Sequence, residues 1–193
     1  MPLIPSFATE RLILRPPSPG DLESIVALAT DAEVMRFPGQ GKTRTPKQAA
    51  AWVESMLSDA RHGFAVEGSL EGLPGLLTAI ERESQAFVGL VTLRLLPGMV
   101  IDALGPESCP SPCVELGFIL AQTSWNRGFA TEASRALITY GFETLGVQEI
   151  FAMVDVLNAP SNRVLEKLGF RQIKKFNFNG ADHWFLSLPA QAK

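Results

Sequence analysis

Two cysteines, two histidines and one tyrosine are all that 193 residues supply of those three types, and no dense block of one charge occurs. The cysteines, Cys109 and Cys113, lie in "CPSPC". A zinc site needs two more ligands, and His62 and His183 are distant in sequence and unpaired, so no metal is expected. The two thiols read as free groups in a proline-rich loop; the alternative, a local disulfide, is disfavoured in a reducing compartment. A net charge of −3 without any Lys/Arg run excludes a nucleic-acid binder that works by neutralising phosphates. No apolar run reaches membrane-spanning length. The opening "MPLIPSFATER" lacks the basic and apolar regions of a signal peptide, so a cytoplasmic protein is expected, with no nucleic-acid or membrane partner. GxxxxGK[ST] and GxGxxG are both missing, which excludes a P-loop and a dinucleotide fingerprint. With no repeat or low-complexity tract, the length fits one domain over residues 1–193.

What is present alternates between strand and helix patterns. "RLILRP" (Arg11 to Pro16) predicts a first strand stopped by "PPSPGD", and apolar residues at 22, 25, 26, 28 and 29 suit a short helix. "EVMRFPGQGKTRTP" reads as a loop. "TPKQAAAWVESMLSDA" predicts a helix capped by Thr45, with Pro46 in the first position and Ala49, Trp52, Val53 and Met56 on one face. "LLTAIE" and "FVGLVTLRLL" form a hairpin across "RESQ". Residues 97–113 make a Pro/Gly-rich loop long enough to serve as a lid or a contact surface. Then come the strand "VELGFIL", a helix over 127–145 with Ala130, Ala133, Leu137 and Tyr140 on one face, the strand "EIFAMVDV", and the helix "APSNRVLEKLG" stopped by Gly169. "FRQIKKF" and "HWFLSL" close the chain as strands around "NFNGAD". The fold class is therefore α/β, a mixed and mostly antiparallel sheet with flanking helices. Its centre is a strand–helix–strand unit whose two strands run parallel.

That central unit carries the chemistry. In "WNRGFATEA" (Trp125 to Ala133) a strand ends in a loop that opens a helix, and Gly128 and Ala130 strip side chains from the first turn. Amide donors and the helix dipole at such a start suit a phosphate or pyrophosphate, although a simple tight turn accounts for Gly128 equally well. Gly117, in the middle of its strand, suggests a bulge or a close backbone approach.

Taken in order, "TERLILRP", "ELGFIL", "WNRGFATEA", "YGFETLG", "NAPSNRVLEKLGF" and the terminal strands resemble the GNAT superfamily of acyl-CoA-dependent N-acetyltransferases, in particular its ribosomal-protein (Rim-type) branch. The resemblance covers most of the chain. It implies a single-domain GNAT fold with acetyl-CoA as co-substrate and a primary amine as acceptor. "WNRGFA" stands where the family has Gln/Arg-x-x-Gly-x-Gly/Ala, with Trp125 replacing the Gln/Arg as in the Rim-type branch. The amides of Arg127, Gly128, Phe129 and Ala130, together with Thr131, are implied to hold the coenzyme A pyrophosphate. Arg127 is either an additional cation for the phosphates or a solvated side chain. The family's strand before this loop bulges and diverges from the next, opening a slot for the pantetheine arm, so Gly117 relieves packing or marks that slot. Backbone donors near Phe118 and Ile119 are implied to bind the thioester oxygen as it gains charge.

Amine attack on the thioester needs a neutral amine, a stabilised oxyanion and a proton for the leaving thiolate. Where many family members place a tyrosine acid, this chain has Leu165, and the Rim-type branch points to Ser161 instead; its alternative role is simply to open a helix. Asn158 is implied to bond a pantetheine amide or the acceptor, or else forms a turn. Glu115 shares a strand face with Gly117, and if that face lines the slot it takes the amine proton through water; otherwise it is a solvated or paired carboxylate. Asp155 and His183 are lesser candidates, and Tyr140, Trp52, Met56 and Trp184 read as packing. By branch resemblance the acceptor is a protein or peptide N-terminus. The alternatives are a small amine (aminoglycoside, polyamine or amino acid) and a non-catalytic acyl-CoA-binding module. The resemblance also admits a homodimer, with the terminal strands offering a sheet edge.

Overall fold

The computed structural model describes residues 5–38, 43–51, 54, 72–109 and 112–191. Its eight strands are β1 (Phe7–Ala8), β2 (Leu12–Arg15), β3 (Gly75–Glu81), β4 (Phe87–Leu95), β5 (Val114–Leu120), β6 (Glu149–Asp155), β7 (Arg171–Phe178) and β8 (Ala181–Pro189). They form one sheet in the order β1-β2-β3-β4-β5-β6-β8-β7. Every neighbouring pair is antiparallel except β5 and β6. The expected mixed α/β sheet with its central parallel pair is therefore present.

Helix α1 (Leu22–Thr30) follows β2, α2 (Gly98–Leu104) follows β4, α3 (Phe129–Glu143) joins β5 to β6, and α4 (Ala159–Leu168) joins β6 to β7. Residues 46–51 are helical as well, and Thr45 with Gln48 makes a capping box: Gln48 N donates to Thr45 Oγ1 at 3.3 Å, and Thr45 N donates to Gln48 Oε1 at 2.9 Å. Of that helix's expected face Ala49 is buried, while Trp52, Val53 and Met56 lie outside the described residues.

Alternation along the strands sorts the core onto two faces. Leu77, Val91, Leu116, Ile150 and Leu186 pack under α3, whose Phe129, Ala133 and Leu137 form a stripe at four-residue spacing. On the other face Ile25 and Leu28 of α1 pack on Leu90, and Ile119 joins them. Further along that face Val100 and Leu104 of α2 cover Phe151, Phe176 and Phe185. Each fully buried leucine or phenylalanine contributes about 1.5–3 kcal/mol.

Three sequence expectations need correction. Residues 97–113 are not a bare loop: α2 forms because Val100 and Leu104 have an apolar patch to cover. That folding brings both cysteines into the same patch, where Cys109 and Cys113 are joined in a disulfide with Cα atoms 5.7 Å apart rather than standing as free thiols. "EVMRFPGQGKTRTP" begins with a 3-10 turn, Val34–Arg36, because Val34 and Met35 bury against α1. The terminal hairpin turns on Asn179 and Gly180, both at positive φ, the geometry a two-residue hairpin loop demands.

Candidate active site

The first turn of α3 has no side-chain cap. Gly128 occupies the cap position in the left-handed region (φ 81°), and Asn126 two residues earlier is left-handed too (φ 59°). The first α3 amide to find a backbone carbonyl is that of Glu132, which donates to Gly128 O at 3.0 Å. Among the described residues nothing accepts from the amides of Gly128, Phe129, Ala130 or Thr131. They are left for an outside anion, at the end of the helix that carries roughly half a positive charge.

This start is bolted down from behind. The carboxylate of Glu132 accepts from Thr9 Oγ1 at 2.6 Å, from Arg11 N at 2.8 Å and from Arg11 Nε at 2.7 Å. Burial pushes that carboxyl up, but these bonds outweigh it and hold it below the ordinary carboxylate range. Arg11 also donates to the Arg127 carbonyl at 2.9 Å. Two guanidiniums contact the Phe129 ring, a residue 1% exposed, with Arg11 at 4.7 Å and Arg127 at 4.5 Å from its centroid. Thr9 and Arg11, from the turn between β1 and β2, thus hold the helix start in place.

A gap opens beside it. Strands β5 and β6 pair only at Val114–Ile150 and Glu115–Phe151, so residues 116–120 and 152–155 part company. On its other edge β5 stays in register with β4 throughout. Ala121 N donates to Val88 O at 3.0 Å, and antiparallel alternation then turns the backbone groups of Ile119 and Gly117 toward β4 and those of Phe118 and Leu120 toward the gap. The Leu120 carbonyl is taken by Trp125 Nε1 at 2.8 Å, which leaves the Phe118 amide facing the opening.

The gap, the α3 start and the start of α4 line one cavity of about 540 Å³. Asn158 caps α4, its Oδ1 accepting from Ser161 N at 3.2 Å, and both residues line the cavity. The cap occupies the amide oxygen of Asn158 and leaves its NH₂ to donate inward. The Ser161 hydroxyl has no partner among the described residues. Arg36, Arg163 and Lys167 also line the walls, and Glu33 is the one carboxylate among the described lining residues. A start of bare amides, a divided sheet and a cationic cavity together fit a long phosphorylated thioester.

The sequence model of the acetyltransferase (GNAT) domain matches residues 11–171. The chain belongs to the GNAT acetyltransferases. The uncharacterized N-acetyltransferase YoaA of Bacillus subtilis is 26% identical over 170 residues, covering 88% of this chain and 85% of YoaA. YdaF of the same organism, named as a candidate ribosomal N-acetyltransferase, is 26% identical over 161 residues, 83% of this chain and 78% of YdaF. Among solved structures, spermidine N-acetyltransferase from Vibrio cholerae, in complex with CoA and spermine, superposes with a TM-score of 0.67 at 18% identity, over 93% of this chain and 95% of that one. At such identity the likeness is one of fold.

Within this GNAT cavity the structure gathers Phe118, Ile119, Gly128, Phe129, Ala130, Thr131, Asn158 and Ser161. It does not gather Glu115. That side chain shares its face with Phe151, on the α2 side, and lies buried against Arg94, whose Nε is 3.2 Å from Oε2. Burial pushes its carboxyl up and Arg94 opposes the shift. Glu115 and Gly117 share their face with Ile119, and of the three only Ile119 lines the cavity, while the Glu115 carboxylate is turned to Arg94. At Gly117 an added Cβ would meet Thr92 Oγ1 at 2.7 Å, so its close neighbour is β4. Register irregularities lie in the β3–β4 pairing, where Val88 is the extra residue opposite Ala79 and Ile80, and in the β7–β8 pairing, where Ile173 is extra, rather than in the β4–β5 pairing.

The Arg127 side chain, 48% exposed, is not among the residues that line the cavity. Its guanidinium pairs with Glu81 at 2.5 Å, and only its backbone belongs to the loop. Leu165 is 2% exposed in the main core and is not among the residues that line the cavity. Asp155 caps its own turn through Leu157 N at 2.7 Å, and His183 is buried with Nδ1 on Ala181 O at 3.0 Å. Sequence reasoning missed Glu33, Arg36, Arg163 and Lys167. The i, i+4 spacing of the last two on one helix face was a legible signal for that pair.

Proposed function

We propose that this GNAT acetyltransferase acetylates the α-amino group of a protein or peptide, with Ser161 as the acid that protonates the departing thiolate. The observation that carries the reading is the junction of the bare α3 amides and the unpartnered Ser161 hydroxyl across the divided β5–β6 edge. The amides of residues 128–131 bind the pyrophosphate, and the NH₂ of Asn158 donates to a pantetheine carbonyl. The amine nitrogen attacks the thioester carbon, and the Phe118 amide meets the oxygen as it gains charge. When the tetrahedral centre collapses the C–S bond breaks. Ser161 gives its proton to sulfur and regains one from solvent, while the amine releases its own.

No carboxylate beside the gap is required to deprotonate such an acceptor. An α-amine has an ordinary pKa of about 7.7–8.0 against about 10.4 for lysine, so a large fraction is neutral near physiological pH. The cavity's charge supports this acceptor class over polyamines or aminoglycosides, because Glu33 is the one carboxylate among the described lining residues and Arg36 stands on the same turn beside it. The name of YdaF points the same way.

The test is mass-spectrometric acetyl transfer from acetyl-CoA to two pools, peptides with free N-termini and small amines including polyamines and aminoglycosides. Acetylated peptide termini are expected. Modification of the small amines alone refutes the acceptor class, and binding of acetyl-CoA without transfer to either pool refutes the enzymatic reading. Ser161→Ala should lower kcat about 10²-fold or more while leaving the KM for acetyl-CoA within about twofold.

A further inference from the structure

Charged side chains around the site are almost all spent on one another. Arg11 holds Glu132, Arg127 holds Glu81, Arg94 holds Glu115 and Arg15 holds Asp21. Four charged residues lining the cavity are exceptions, with no ion pair among the described residues: Glu33, Arg36, Arg163 and Lys167. They divide by face. Arg163 and Lys167 stand one turn apart on α4, which packs with α3 on the pyrophosphate side of the sheet. Glu33 and Arg36 come from the 3-10 turn after α1, which packs on the opposite face through Val34 and Met35. The β5–β6 gap lies between the two faces, so a thioester bound to the α3 amides reaches it from one side and the acceptor approaches from the other.

We propose that Glu33 and Arg36 read the acceptor, Glu33 taking the incoming amine and Arg36 an anionic group next to it. This rests on the peptide-acceptor reading above and gives it a sequence preference. Residues three apart on a 3-10 turn eclipse one another, so the two side chains project from one side of the turn as neighbours. An opposite-charged neighbouring pair left without mutual pairing is complementary to a ligand carrying an amine and an anion at short separation. A peptide whose first residue bears the free α-amine and whose second is acidic has that pattern. A polyamine presents a second cation to Arg36 instead, and like-charge juxtaposition selects against it.

The experiment is steady-state kinetics on the full chain with acetyl-CoA and three probes. Two are hexapeptides identical except for glutamate or lysine at the second position, and the third is spermidine. The glutamate peptide is expected to exceed the lysine peptide at least tenfold in kcat/KM, with spermidine poorest. Glu33→Gln should raise the KM for the glutamate peptide about tenfold and leave that for acetyl-CoA within twofold. Arg36→Glu should invert the order of the two peptides, and Arg36→Lys should restore it in part. Equal rates on the two peptides, or a peptide KM unmoved by Glu33→Gln, overturn the assignment while keeping the peptide-acceptor reading. Turnover of spermidine with neither peptide accepted overturns both. Circular dichroism of each variant separates misfolding from a lost contact, since both side chains are exposed and neither supports the core.

Discussion

Replacing Glu132 with glutamine tests how firmly the start of α3 is anchored. The carboxylate accepts from Thr9 Oγ1, from Arg11 N and from the Arg11 guanidinium, and its side chain is only 16% exposed. A glutamine amide keeps the shape but turns one acceptor into a donor, so either the guanidinium or the Thr9–Arg11 pair faces an NH₂. Losing hydrogen bonds to a charged group costs about 1.5–3 kcal/mol. Arg11 is 44% exposed, and solvent screening brings the expected loss down to about 1–2 kcal/mol. For a chain of this size that lowers Tm by roughly 3–6 °C. The sign with pH follows from the depressed carboxyl. Its contribution is present above the unfolded glutamate value of about 4.3 and disappears as pH falls through the lower folded value. Denaturant melts of both proteins at pH 7.5 should therefore show the gap, and melts at pH 3.5 should show it narrowing. The Kd for acetyl-CoA, measured by calorimetry at pH 7.5, should rise as the α3 start loosens. A gap that stays constant across this pH range, or one below about 0.3 kcal/mol at pH 7.5, refutes the anchoring argument.

Two further substitutions bear on residues that lie outside the cavity lining. Glu115→Gln should leave kcat within about twofold, because the residue does not line the cavity. Since burial holds its carboxyl above the unfolded value, the charged form weakens the fold as pH rises. The variant should gain stability relative to wild type as pH rises from 4 to 8, in paired thermal melts. Leu165→Tyr, which restores the residue common in the family, should not raise activity. It forces a larger ring and a hydroxyl into a position 2% exposed, at a cost of about 1–3 kcal/mol read by denaturant unfolding.

Local chemistry written within a few residues was legible in the chain. Thr45 ahead of Pro46, Gly169 after "VLEKL", the alternation in "VELGFIL" and the Asn179-Gly180 turn each announce an element through effects acting over one to four residues. The parallel β5–β6 pair follows from the helix between them, and the bare start of α3 follows from Gly128 and Ala130. Tertiary structure alone decided what those elements face. Whether Glu115 meets solvent, cavity or Arg94 depends on which face α2 covers, and α2 forms because Phe151, Phe176 and Phe185, from three other strands, make the patch it covers. The same folding sets Cys109 beside Cys113. Arg127 turns to Glu81, a partner 46 positions away that no spacing rule names. Glu33 and Arg36 reach the cavity of Ser161 because β5 leaves β6 after Glu115, opening the sheet between its two faces. Short-range pattern determined the elements and the uncapped start of α3, whereas side-chain partners more than a hundred residues apart, such as Arg11 and Glu132, exist only once the sheet has closed between them.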